Sequence, residues 1–114
     1  MSPTGMKMRR GDLVTVVLAG DYGKPRPALV VQSDLFVDVP SVTLCLVTSA
    51  LREIPLFRIT VDPSPENGLQ RISQVQVDKI TTVKRQRVGG VIGRLDDATM
   101  LKVTRSLAAF IGIA

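Results

Sequence analysis

A chain of 114 residues carrying a formal charge of +5 is long enough for one core and too short for two ordinary domains, so residues 1–114 are read as a single domain. With 45% hydrophobic residues but only three Phe, one Tyr and no Trp, the core must be built from Val, Leu and Ile, which suits a compact β-rich fold. The absence of His and a lone Cys exclude the usual zinc site and the cysteine- or histidine-based triads, while the positive balance points to a polyanionic partner.

Met1 to Met8 is short, polar and broken by Pro3 and Gly5, and is read as a flexible N-terminal segment without the apolar stretch of a signal peptide. No run approaches the ~18 apolar residues that a membrane span requires. A soluble, cytoplasmic protein is the expectation. Asp12 to Leu18 and Pro27 to Ser33 are predicted as the first two strands, because both are apolar and β-branched. Between them Gly20, Gly23, Pro25 and Pro27 punctuate a loop that lifts two cations, Lys24 and Arg26. Prolines on both sides of Arg26 stiffen its backbone, which would present the guanidinium with little freedom to lose on holding a phosphate. A surface loop with two solvated cations reads the same residues equally well.

Leu35 to Ser41 is a predicted loop, and Val42 to Val47 a central strand ending at Thr48-Ser49. Cys45 lies inside that apolar run and is expected to be a buried core residue of a protein in a reducing compartment. Leu56 to Val61 alternates apolar and polar residues as a strand with one wet face. Asp62 to Gly68, with two prolines, an asparagine and a glycine, predicts a long exposed turn. Ile72 to Val77 is a further strand, broken at Asp78-Lys79 before Ile80 to Lys84. Val88 to Leu95 carries three glycines and predicts a bent or bulged strand. Asp96 is the expected N-cap of a closing helix, whose apolar face is Met100, Val103, Leu107, Phe110 and Ile111 and whose stop is Gly112.

The chain has no P-loop and no dinucleotide fingerprint after a strand. Gly89-Gly90-x-x-Gly93 lacks the Lys-Ser/Thr that would follow in a phosphate cradle. What remains are cations, hydroxyls and turn carboxylates: Lys24, Arg26, Thr48, Ser49, Arg71, Gln76, Asp78 and Lys79. A basic site of this kind accelerates phosphodiester transfer if it neutralises transition-state oxyanions, and RNA supplies its own nucleophile in the 2′-hydroxyl. Solvated cations, a backbone-bonded strand-end Thr48 and a turn Asp78 fit the same composition.

Five segments in order carry a resemblance that covers nearly the whole chain. They are Arg10-Gly-Asp12, Gly23-Lys-Pro-Arg-Pro-Ala-Leu-Val-Val-Gln-Ser-Asp34, Val47-Thr48-Ser49, Val77-Asp78-Lys79-Ile80-Thr81-Thr82-Val83 and Ile92-Gly-Arg-Leu-Asp96. With them the chain resembles the MazF/PemK (Kid) family of toxin endoribonucleases from toxin–antitoxin modules. The resemblance implies an SH3-like curved β-barrel with a C-terminal helix, a homodimer, and an active site without metal or cofactor. It implies cleavage of single-stranded RNA to a 2′,3′-cyclic phosphate and a 5′-hydroxyl, and a cognate antitoxin as partner. By motif match the catalytic pair is Arg26 and Thr48. Asp78, Gln76 and Ser49 fall at supporting positions, with Lys24, Arg71 and Lys79 as RNA-binding cations. Some members have an arginine where this chain has Gln76, which leaves the general acid to Arg71 or Arg26. A gyrase poison of the CcdB type, a non-catalytic nucleic-acid-binding barrel and a catalytically dead toxin are the competing readings.

Overall fold

The computed structural model describes residues 8–113. The expected flexible segment lies outside them except for Met8, which is buried in the core. The chain runs β1 (Asp12–Val17), β2 (Pro25–Val30), a 3-10 turn at Asp34–Phe36, β3 (Ser41–Thr48), β4 (Arg58–Val61), β5 (Ser73–Lys84), β6 (Val88–Arg94) and helix α1 (Asp97–Phe110). The strands form one antiparallel sheet in the order β4-β5-β3-β2-β1-β6. It is curved but not closed.

Alternation along the strands builds two apolar layers, because successive side chains point to opposite faces. Leu13 of β1, Leu29 of β2, Cys45 and Val47 of β3, and Val75 and Val77 of β5 join Val103 and Leu107 of α1 in one cluster. Val14, Val16, Ala28, Val30, Val42 and Leu44, the intervening residues, form the other with Met8. A fully buried leucine such as Leu29 contributes about 1.5–3 kcal/mol by its removal from water. The buried Cys45 meets its expectation.

Several boundaries differ from those predicted. β2 begins at Pro25 rather than Pro27, so Arg26 stands in the ladder opposite Val16, not in the loop. Pro25 and Pro27 donate no ladder hydrogen bond, and their missing N–H groups are what made the sequence look like a loop there. β4 starts at Arg58, with Phe57 still in the preceding turn. The break expected at Asp78-Lys79 is a bend within one 12-residue strand. Cys45 pairs Ile80 and Val47 pairs Val75, so the extra residues of β5 are accommodated there as a bulge.

The Asp62–Gly68 turn is only partly exposed, since Asn67 is buried. Asn67 Oδ1 accepts from the N–H groups of Ser64 (3.0 Å) and Leu69 (2.9 Å), and its Nδ2 donates to Asp62 O at 2.8 Å. The turn lies against β6, where Arg94 N–H donates to Glu66 O at 2.8 Å. Two glycines permit this approach. A Cβ on Gly93 would stand 2.2 Å from the Asn67 carbonyl, and one on Gly68 would stand 2.0 Å from Ile92 O. The turn thereby draws the two edge strands together across the open side of the sheet without pairing them.

Helix α1 packs on β4 and β5 through Val103 and Leu107, while Phe110 and Ile111 of the predicted apolar face are about half exposed. Asp96 occupies the N-cap, but its side chain makes no capping bond; its carbonyl accepts the first intrahelical bond, from Met100 N–H. Gly112, at φ +84°, ends the helix as expected, with Ile113 N–H donating back to Ala108 O. Arg10 ties the start of β1 to this assembly, donating to Val31 O and, at 2.6 Å, to Thr104 Oγ1.

Candidate active site

The ladder β1-β2-β3 and the segment before β5 enclose an open cleft of about 520 Å³. Its lining includes Lys24, Arg26, Thr48, Ser49 and Arg71, five of the eight candidates drawn from the sequence, with Gly68 and Leu69 from the bridging turn. Each side chain arrives for a local reason. The proline-flanked start of β2 sets Arg26, the end of β3 sets Thr48 and Ser49, and the packing of the turn on β6 brings Arg71 to the cleft.

Arg26 is held by a residue that the sequence reading did not single out. Its Nε donates to Asp21 Oδ2 at 2.6 Å and its Nη2 reaches Asp21 Oδ1 at 3.4 Å. Arg26 remains about half exposed, at 47% of its side chain, whereas Asp21 is 21% exposed. One edge of the guanidinium is therefore oriented by a carboxylate, and no described residue accepts from Nη1. The available signal was a carboxylate between glycines, five residues before a proline-braced arginine.

Thr48 Oγ1 accepts from Ala50 N–H at 3.0 Å. The backbone-bonded reading of this residue thus holds, and it does not use up the hydroxyl: the O–H remains a donor, aimed by the bond that its oxygen accepts. Arg71 is exposed, and its backbone carbonyl accepts from Ser73 Oγ at 2.9 Å.

Gln76, Asp78 and Lys79 do not line the cleft. They lie in the bulged segment of β5 between Val75 and Ile80, Gln76 opposite Arg58 and Lys79 exposed. Asp78 turns one oxygen into the protein, where Oδ1 is buried without a partner among the described residues. Its charge is felt at Cys45 instead. Burial chiefly pushes that thiol up to about 12, with Arg10 acting against the rise and Asp78 adding to it. Arg52 to Pro55, before β4, frame a separate depression with Arg58 and Gln74. Among the described residues no three His, Cys, Asp or Glu side chains gather as metal ligands.

The signature of the PemK-like, MazF-like toxins of type II toxin–antitoxin systems matches residues 9–111. The chain belongs to this family. It is 43% identical over 108 residues to a probable endoribonuclease MazF of Mycolicibacterium smegmatis, covering 94% of this chain and 99% of that one. Among solved structures it is similar to a mycobacterial endoribonuclease in complex with its cognate antitoxin, with a TM-score of 0.77, 25% identity and 94% and 97% of the two chains covered. A MazE–MazF complex from Deinococcus radiodurans superposes with a TM-score of 0.78 at 21% identity, over 96% and 99% of the chains, and supports the fold. The fold is therefore the family's, with the expected C-terminal helix, and where a curved barrel was expected the six strands form an unclosed sheet. No helix among the described residues is long and apolar enough to cross a membrane.

Proposed function

We propose that this chain is the endoribonuclease toxin of a type II toxin–antitoxin pair and that the Arg26 cleft cuts single-stranded RNA. The observation that carries the proposal is the convergence of Lys24, Arg26, Thr48, Ser49 and Arg71 on one open cleft in a member of this family. Arg26 holds the scissile phosphate through Nη1 and Nη2, its fork oriented by Asp21. Thr48 donates its hydroxyl to a phosphoryl oxygen, and Lys24 and Arg71 neutralise charge from either side. The ribose 2′-oxygen attacks the adjacent phosphorus, the P–O5′ bond breaks, and a 2′,3′-cyclic phosphate and a 5′-hydroxyl result. Asp21, with both oxygens bonded to Arg26, orients the fork, and Asp78 lies outside the cleft, so water takes the 2′-proton and returns one to O5′. Arginine cannot serve as the base because it stays protonated.

In this reading an acidic antitoxin segment covers the same cations in place of RNA, and the active toxin is a cytoplasmic homodimer. The test is cleavage of a long RNA by purified protein, with ends mapped by primer extension. Cuts at defined sites that disappear when the scissile nucleotide lacks its 2′-hydroxyl support the proposal. No cleavage of any RNA, or undiminished cutting of the 2′-deoxy substrate, overturns it. Inhibition of gyrase without RNA cleavage would instead favour the CcdB-type reading.

A further inference from the structure

The loop between β1 and β2 makes two tight turns in succession. Asp21 N–H donates to Leu18 O at 3.2 Å, and Lys24 N–H donates to Asp21 O at 3.0 Å. The second turn places positive φ at both central positions, Tyr22 at +54° and Gly23 at +78°. Such turns select Gly, Asn or Asp, because a Cβ crowds the backbone in the left-handed region. Tyr22 is nevertheless there, the one non-glycine residue with positive φ among the described residues and the only tyrosine of the chain. It is also completely exposed, at 103% of its reference surface, so no packing among the described residues compensates for the strained backbone.

Its position gives the strain a use. Asp21, the preceding residue, is bonded to Arg26, and Lys24, two residues later, lines the cleft. The ring is therefore carried on a short, internally bonded loop tethered to the cation that would hold the scissile phosphate. A flat aromatic surface next to a cationic groove is the arrangement on which single-stranded bases stack. Aromatic residues are scarce here, 4% of the chain, which makes an exposed one in this loop more telling. Residues held in the left-handed region cluster at functional sites.

We infer that Tyr22 is a base-stacking residue, which receives an unpaired RNA base flanking the phosphate held at Arg26. The inference rests on the reading of the cleft as an RNA site. Stacking of this kind binds bases of any identity, so Tyr22 sets affinity and the register of the strand more than the choice of base.

The test is the affinity of native protein and of Tyr22→Asn, Tyr22→Phe and Tyr22→Trp for a fluorescein-labelled oligoribonucleotide spanning a cleavage site. A 2′-deoxy scissile nucleotide keeps the probe intact, and anisotropy reads binding. Tyr22→Asn should raise Kd at least about fivefold, whereas the Phe and Trp variants should stay within about twofold of native. Thermal melting separates this from a structural role, because Asn suits the left-handed turn and should leave the Tm unchanged or higher. The inference is overturned if Tyr22→Asn binds as native does, if Tyr22→Phe is as weak as Tyr22→Asn, or if Tyr22→Asn lowers the Tm in parallel with binding. Should native protein bind this RNA without cutting it, the nuclease reading falls while the stacking comparison still decides this one.

Discussion

Replacing Gly93 by alanine tests how the bridging turn is held against the sheet. A Cβ at Gly93 would lie 2.2 Å from the carbonyl carbon and oxygen of Asn67 and 2.7 Å from its Cα. These are backbone atoms pinned by the Asn67 hydrogen bonds, so no side chain can swing aside; the turn itself must move off β6. Overpacking of this kind costs about 1–3 kcal/mol, and loss of the Arg94–Glu66 backbone bond adds about 1 kcal/mol. A destabilisation of about 2–4 kcal/mol should lower the Tm by roughly 10–20 °C in a domain of this size. Gly90 supplies an internal control on the same strand, because a Cβ there meets nothing within 4 Å. Gly90→Ala should leave stability within about 0.5 kcal/mol of native or raise it slightly. Circular-dichroism melts of the two variants decide the matter. A Gly93→Ala protein that melts within a few degrees of Gly90→Ala would show that the turn does not rest on β6 as described. Because the same turn leads into Arg71, Gly93→Ala should also slow RNA cleavage more than Gly90→Ala does.

Three further outcomes are expected. Asp21→Asn should lower the RNA-cleavage rate at least tenfold with little change in Tm, since the exposed pair with Arg26 contributes only about 0–1 kcal/mol to stability; an unchanged rate would remove Asp21 from the mechanism. Cys45, raised by burial from an ordinary 9.0 to about 12, supports the fold below its unfolded value, and that support is lost as pH rises toward 12. Between pH 9 and 12 native protein should therefore lose stability faster than Cys45→Ala, measured by urea unfolding, and equal slopes would contradict this. Cleavage should survive excess EDTA, because the described residues gather no metal-ligand set; loss of activity restored by a divalent ion would refute it.

The sequence made the strands and the helix legible because their apolar periodicities are long and consistent, as in Leu13–Val17 and Met100–Leu107. It misplaced the start of β2 because prolines read as loop even where a strand tolerates them, and it divided β5 because polar Asp78-Lys79 resembles a turn rather than a bulge. Arg26, Thr48, Ser49, Lys24 and Arg71 could be singled out from motif and charge. Their convergence depends on β3 pairing beside β2 and on the packing of Asn67-Gly68 against Ile92-Gly93, neither of which leaves a local signal. Asp21 was missed for a related reason: a carboxylate in a glycine-rich loop looks like an ordinary turn residue until its arginine partner is located. Asp78 erred the other way, because a motif position fixes chain order but not the face on which a bulged strand delivers its side chain.

The central claim is that Arg26 stabilises the phosphate during attack by the 2′-oxygen. It is tested most directly by the cleavage rate of Arg26→Ala on an RNA with a mapped site, beside native protein and Arg26→Lys. Arg26→Ala should lose at least about 10²-fold in rate while melting within a few degrees of native, since the side chain is half exposed and its ion pair lies at the surface. Arg26→Lys should recover little, because a point charge cannot reproduce a two-pronged donor. A folded Arg26→Ala protein that cuts at the native rate would contradict the account.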